Sequence, residues 1–198
     1  MGPIAETDDK ELVQLAQQGD RGAFDALMLK YQGQIIGLAY RMLDNMDEAA
    51  DIAQEAFFRA YRGLSGFRRE AAFRTWLYGI TINLVRHKRR WHSRHRTSQT
   101  FSITLSEEEG LESSAVEEIP DPAPDPRRRA AVGEANARVS EALGRLPASL
   151  RTVVLLRDVN GLPYEEIAQI CKENIGTVKS RLHRGRGMLR EMLGGMER

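Results

Sequence analysis

The residues from Thr97 to Pro126 limit what this chain of 198 residues can fold into, because they interrupt any continuous core. They include eight acidic residues, no basic residue and four prolines, with few large apolar side chains. Such a segment cannot bury enough apolar surface to offset the entropy of ordering it. We therefore expect a flexible acidic linker over residues 97–126, which would reach roughly 100 Å when fully extended. The sequence predicts two small domains beside it, over residues 9–96 and 127–193.

Apolar residues in the N-terminal domain recur at three- and four-residue steps, which predicts amphipathic helices. The clearest series is Phe24, Leu27, Tyr31, Ile35, Leu38 and Met42. A helix before it begins at Asp8 and stops at Gly19. A third opens near Asp47, with inward residues Ile52, Ala56, Phe57, Ala60 and Tyr61. A fourth starts near Ala71, with the buried stripe Phe73, Leu77, Ile80 and Leu84.

The C-terminal domain shows the same periodicity. We expect helices over Arg127–Leu143 and Ser149–Asp158, followed by a short helix with Pro163 at its first position and Cys171 at its end. A last helix runs from about Ile175 to Leu193. No alternation of the strand type competes, so the predicted fold class is all-α.

Composition excludes several kinds of protein. One cysteine excludes a disulfide framework. The four histidines have no cysteine or carboxylate cluster at ligand spacing, so we expect no metal and no cofactor. No long apolar run or secretory signal is present, so we expect a cytoplasmic protein without direct membrane insertion. No arrangement of catalytic residues stands out, so we expect no enzyme.

The last two helices have the spacing of a helix-turn-helix. Val178 lies ten residues after Ala168, where it can fill the space between two crossing helices. The second of these helices presents donors suited to phosphates and guanine edges. These candidates are Thr177, Lys179, Ser180, Arg181, His183 and Arg184. The alternative is an ordinary basic helix in an all-α domain.

Charges along the N-terminal domain come in blocks. From Met42 to Phe58 there are five acids and no base, and Asp47, Asp51 and Glu55 share one helix face. Compensation of the helix dipole explains Asp47, Glu48 and Asp51 but weakens by Glu55, so a basic partner is the second interpretation. From Arg68 to Arg96 there are nine bases and one acid.

Aromatic residues are interleaved with those bases. Trp76, Tyr78 and Trp91 could stack on unpaired bases while arginines neutralise the backbone. For Trp76 a place in the core is an equal alternative. The run Lys88–Arg90 is most simply a phosphate-binding patch.

Three segments together resemble one family. The letters YEEIA at Tyr164–Ala168, followed by GTVKSRLHR at Gly176–Arg184, resemble the promoter-reading domain of the extracytoplasmic-function (ECF) sigma factors of the sigma-70 family. DEAADIAQEAF at Asp47–Phe57 is similar to the family's helix for docking on core RNA polymerase. FRTWLY at Phe73–Tyr78, with Asn83, is similar to its promoter-melting segment. The resemblance covers both domains.

The resemblance implies an alternative sigma factor that directs polymerase to promoters and helps to open them. Its implied partners are core RNA polymerase, promoter DNA and an anti-sigma factor. The clamp coiled coil of the polymerase would bind Asp47, Asp51, Gln54 and Glu55. The minus-ten element would contact Ser65, Gly66, Phe67, Arg74, Trp76, Asn83, Arg86, Lys88, Arg89 and Arg90. The six donors of the last helix would read the minus-thirty-five element.

Two departures from the family pattern affect these expectations. Gly79 and Ile82 stand where the family often has arginine, so some phosphate contacts would be missing. Lys172 and Glu173 stand where the family's turn has glycine and an apolar residue. Lys172 must therefore adopt a positive φ or reshape the turn.

Two other kinds of protein compete with this interpretation. A free-standing helix-turn-helix regulator would explain the C-terminal domain but would leave the acidic face and the Phe73–Asn83 segment without a role. A nucleic-acid-modifying enzyme would need a catalytic constellation, which the sequence lacks.

Overall fold

The computed structural model describes residues 8–68, 71–98 and 126–194. Over these residues the structure is helical and contains no strand, which confirms the all-α prediction. In chain order the α-helices of this part are α1 (Asp9–Gln17), α2 (Arg21–Leu43), α3 (Met46–Gly63), α4 (Phe73–Ser98), α5 (Pro126–Arg145), α6 (Ala148–Val154), α7 (Tyr164–Cys171) and α8 (Ile175–Gly194). The acidic linker predicted over residues 97–126 falls mainly on residues 99–125, which lie outside the description.

Short polar residues set the first three helix starts. Asp8 accepts a hydrogen bond from the Lys10 amide, and Asp20 accepts one from the amide of Ala23. Asn45 caps α3 in the same way, and its side chain lies 2.9 Å from the Glu48 amide. These bonds satisfy amides that have no partner within the helix. Gly19, the predicted stop of the first helix, has a φ of +100°.

Helices α1–α4 pack into an N-terminal bundle. The six-residue stripe predicted on α2 is buried throughout. Tyr61 was expected to face inward, but it is 47% exposed at the edge of the α2–α3 groove. Tyr78 was a candidate for base stacking, yet it is fully buried. Ile82, which stands where the family often has arginine, is also fully buried.

Helices α5–α8 form a C-terminal bundle that contains the predicted helix-turn-helix. Ala168, Val178 and Leu182 are buried where α7 and α8 meet. Pro163 precedes α7 instead of opening it, because its ψ of 158° is extended. Lys172 takes the positive φ, at 56°, and the turn closes through a hydrogen bond from the Glu173 amide to the carbonyl of Ala168.

The two bundles touch each other. A single cluster of buried apolar side chains includes residues of both. Arg151 of α6 donates to the carbonyl oxygen of Met42, at the end of α2, over 3.2 Å. We predicted two domains that can sit far apart. In this structure they are packed together, in what we call the closed arrangement.

Candidate nucleic-acid interface

A cavity of about 560 Å³ lies between α4, the turn before it and α7. It gathers four residues assigned to one DNA-binding surface by the sequence: Gly66, Phe67, Trp76 and Asn83. Ser65 lies beside it, exposed in the short 3₁₀ turn Leu64–Gly66. The cavity is large enough for a small planar group, because ligand pockets span about 300–1,000 Å³.

Aromatic rings form the floor of this cavity. Phe67 stacks on Trp76 with ring centroids 4.7 Å apart, and Phe73 meets both rings edge-on. A Cβ at Gly63 would lie 3.1 Å from the indole of Trp76, so the ring packs close to the backbone at this glycine. Trp76 therefore packs on the core and also lines the cavity, which unites the two alternatives left open by the sequence.

The C-terminal bundle closes one side of the cavity. Gln169, Ile170 and Lys172 line it together with the residues of α4. Arg74 of α4 pairs with Glu166 of α7 at 2.9 Å. The helix-turn-helix thus stands over the residues assigned to the minus-ten element.

A buried hydrogen-bond chain supports this contact. Tyr78 donates to Gln34 of α2 over 2.9 Å and accepts from Asn160, just before α7, over the same distance. Burial raises the pKa of Tyr78 to about 12. The phenol therefore stays protonated at neutral pH and can keep donating to Gln34.

The bases in the second half of α4 do not form one exposed patch. Arg86 lies beside the buried thiol of Cys171, whose pKa burial raises. Lys88 lies 3.3 Å from Glu48 of α3. Arg89 lines a second cleft, which lies between the two bundles, whereas Arg90 is exposed. None of the four lines the aromatic cavity, so that cavity and the basic half of α4 are separate surfaces.

The α8 donors stand at the start of a helix capped by Asn174, which accepts from the amide of Thr177 over 2.7 Å. Lys179, Ser180, His183 and Arg184 are exposed. Arg181 is held by Glu173 of the turn at 2.8 Å. The pairing orients its guanidinium group but also neutralises it.

The acidic face of α3 borders an apolar groove. Gln54 lines that groove, of about 650 Å³, together with Phe57 and Phe58 of α3 and Phe24 and Met28 of α2. Asp47 and Asp51 are exposed beside it. Glu55 pairs with Arg59 at 2.6 Å, so part of its charge is compensated within the helix.

Sequence reasoning missed the contacts between the bundles. Thr75, Arg151, Asn160 and Glu166 had no assigned role, although each takes part in a contact across the interface. Glu166 stood inside a recognised motif, and no local pattern relates it to a residue far away in the chain. For Thr75 and Arg151, which are polar residues buried in helices, the signal that could have found them was a polar residue among apolar helix positions.

Neither a membrane span nor a metal cluster is found among the described residues. No helix there has the length and apolarity to cross a membrane. Among the same residues no three His, Cys, Asp or Glu side chains come together as possible metal ligands.

An aromatic cavity on a helix that carries many basic residues, together with a helix-turn-helix, is typical of an all-helical DNA-binding protein. Residues 27–95 match the family description Sigma-70 region 2, and residues 136–189 match Sigma-70, region 4. The RNA polymerase sigma-H factor of Pseudomonas aeruginosa is 40% identical over 92% of this chain and 92% of its own length. The ECF RNA polymerase sigma-E factor of Escherichia coli K12 is 37% identical over 90% of each chain.

The fold is also similar to a solved structure. The sigma factor RpoE from Bartonella quintana, solved with the anti-sigma factor NepR, has a TM-score of 0.65 at 24% identity. The similarity covers 86% of this chain and 96% of that one. The chain belongs to the ECF sigma factors of the sigma-70 family. It is an alternative sigma factor that directs RNA polymerase to promoters.

Proposed function

We propose that three surfaces of this sigma factor divide the work of initiation, with no catalysis of its own, in the cytoplasm. The acidic α3 face and its groove bind the clamp coiled coil of core polymerase. The aromatic cavity holds a splayed-out base of the minus-ten element, while basic residues of α4 hold the backbone. The exposed start of α8 reads the minus-thirty-five element.

The observation that carries this proposal is the aromatic cavity. Its stacked rings provide a surface for a base that has left the duplex, and the exposed Asn83 at its edge can pair with a base edge. Capturing an unpaired base favours the melted strand over the duplex, which is the step that promoter opening requires.

The polymerase-binding surface is supported by its two components. The groove between α2 and α3 has Phe58 and Tyr61 exposed at its edge, which offers apolar area to bury. The adjacent carboxylates of Asp47 and Asp51 suit a basic partner helix and would increase its rate of association. We also propose an anti-sigma factor as a partner, since a protein that covers this groove would exclude the polymerase.

Run-off transcription with purified core polymerase tests the proposal. Holoenzyme made with the wild-type chain should start transcription at its promoters, and the Trp76→Ala variant should bind core polymerase normally while opening promoters poorly. Opening can be followed by permanganate reactivity of unpaired thymines. Normal opening by the variant would remove the cavity from the mechanism.

A further inference from the structure

A second cleft, of about 690 Å³, lies where the two bundles meet and is lined mainly by polar residues. Arg89 and His92 of α4 form one side, and Arg151 of α6 forms the other. Asp44 and Glu48 complete it near the start of α3. The aromatic cavity is lined by different residues.

Both arginines have unused donors. Arg151 is only 7% exposed, and its Nε is buried without a hydrogen-bond partner in the described part of the chain. Its other guanidinium nitrogens donate to the carbonyl oxygens of Met42, Gly144 and Leu146. The buried Nη1 of Arg89 likewise lacks a partner among the described residues. Leaving a buried charged donor unpaired is destabilising, so such groups usually have a ligand or water.

Two arginines and two carboxylates line the cleft, and among the described residues neither carboxylate forms an ion pair with either arginine. Glu48 is already paired with Lys88 at 3.3 Å and with His92 at 2.8 Å. Asp44 forms no ion pair with either arginine in the described residues, and it is exposed. Burial and then the charge of Arg89 lower the pKa of Arg151, and the carboxylate of Asp44 raises it by less.

We propose that this cleft binds the phosphate group of a small phosphorylated molecule between Arg89 and Arg151. Guanidinium groups present paired donors that match phosphate oxygens. The N-terminus of the 18-residue helix α3, at Met46, opens beside the cleft and adds a favourable dipole. The volume exceeds the needs of one phosphate ion, which favours a diphosphate or a phosphate ester. Because the arginines belong to different bundles, binding would also favour the closed arrangement.

Isothermal titration calorimetry on the full-length chain, at constant ionic strength, tests the proposal with three probes. These are inorganic phosphate, pyrophosphate and ADP. We expect saturable binding with one site per chain, and tighter binding of pyrophosphate or ADP than of inorganic phosphate. Equal affinities for all three would identify free phosphate as the ligand chemistry and would overturn the assignment of a larger ligand.

The matched variants are Arg89→Gln and Arg90→Gln, which remove the same charge from neighbouring positions of α4. Losing a charge-assisted contact should weaken pyrophosphate binding about tenfold in Arg89→Gln. The affinity of the exposed Arg90→Gln variant for pyrophosphate should stay within about twofold of the wild type, because a charge on the exposed surface contributes little to binding in the cleft. Equal losses in both variants, or no saturable binding to the wild type, would overturn the site.

Melting of the ligand-free variants separates binding from folding. Arg89→Gln removes a like charge beside Arg151, so its melting temperature should be no lower than that of the wild type. Arg151→Lys is the second variant. It keeps the positive charge but loses the paired donors of the guanidinium group, so it should also bind pyrophosphate less tightly. If both variants melt normally and still bind like the wild type, the two arginines do not form the site.

Discussion

Glu166 and Arg74 join the helix-turn-helix to the helix assigned to promoter melting, with 2.9 Å between carboxylate and guanidinium across 92 positions of sequence. The second oxygen of the same carboxylate accepts from Thr75. One guanidinium nitrogen of Arg74 and the hydroxyl of Thr75 are therefore occupied in the closed arrangement, and Thr75 also lines the aromatic cavity. DNA can use these two donors only after α7 moves away.

Glu166→Gln should make the free chain bind promoter DNA more tightly, because the closed arrangement loses an ion pair. A contact of this kind contributes about 1 kcal/mol, which corresponds to about fivefold in apparent affinity. Fluorescence anisotropy with labelled promoter DNA measures the change. Glu165→Gln is the matched control, since Glu165 is exposed on the same helix. If both variants gain equally, the effect comes from net charge and not from opening.

Asp51→Lys combined with Glu55→Lys should weaken binding to core polymerase by at least tenfold while leaving helical content unchanged. Both carboxylates lie beside the α2–α3 groove, and reversing them places like charges against a basic partner. The control is Glu11→Lys with Glu191→Lys, which makes the same charge change at exposed positions of α1 and α8. Competition for core polymerase, with circular dichroism of each variant, gives the result. Unchanged affinity would exclude this face from docking.

Gly185→Ala should lower the free energy of unfolding by about 1–3 kcal/mol. A Cβ there would lie 2.7 Å from a methyl group of Val154, a stiff buried side chain. Gly187→Ala, two residues further along α8, meets no atom within 4 Å and should raise stability by about 0.5–1 kcal/mol. Urea denaturation compares the two. If Gly185→Ala unfolds at the same urea concentration as the wild type, α6 and α8 are not in close contact at this glycine.

Local patterns account for much of this structure and fail where distant parts of the chain meet. The α2 stripe and the buried Val178 follow from helical spacing, since each depends on neighbours within a few residues. The positive φ of Lys172 was one of two outcomes that the turn permitted. The pairs of Glu166 with Arg74 and of Arg151 with Met42 depend on how two bundles pack. The spacing of apolar residues predicts which face of a helix is buried, but it does not predict which element packs against that face.

The site shows the same division. Gly66, Phe67, Trp76 and Asn83 were assigned to one surface by resemblance, and the structure places them around one cavity. Their DNA contacts remain predictions. Lys88 and Arg89 do not line that cavity: Lys88 pairs with Glu48, and Arg89 lines the interdomain cleft. Their contacts with DNA also remain a prediction.

Arg181 and Lys88 should differ in how they affect promoter choice. Arg181 lies on the recognition helix, where its fork can pair with a guanine, and losing such a contact costs about 1–3 kcal/mol at one base position. Lys88 lies in a run of bases with no obvious base target, so we expect it to hold phosphate, and its loss should weaken all promoters alike and reduce the salt slope by about one. Arg181→Ala should therefore change which minus-thirty-five sequences the holoenzyme prefers, whereas Lys88→Ala should change only the strength of promoter binding.

Glu173→Ala, which frees Arg181 from its 2.8 Å pairing, is the control and should keep the wild-type preference. Binding to single-base promoter variants at two salt concentrations distinguishes these outcomes. A uniform loss in Arg181→Ala would show that this arginine holds phosphate and that another residue of α8 reads the bases.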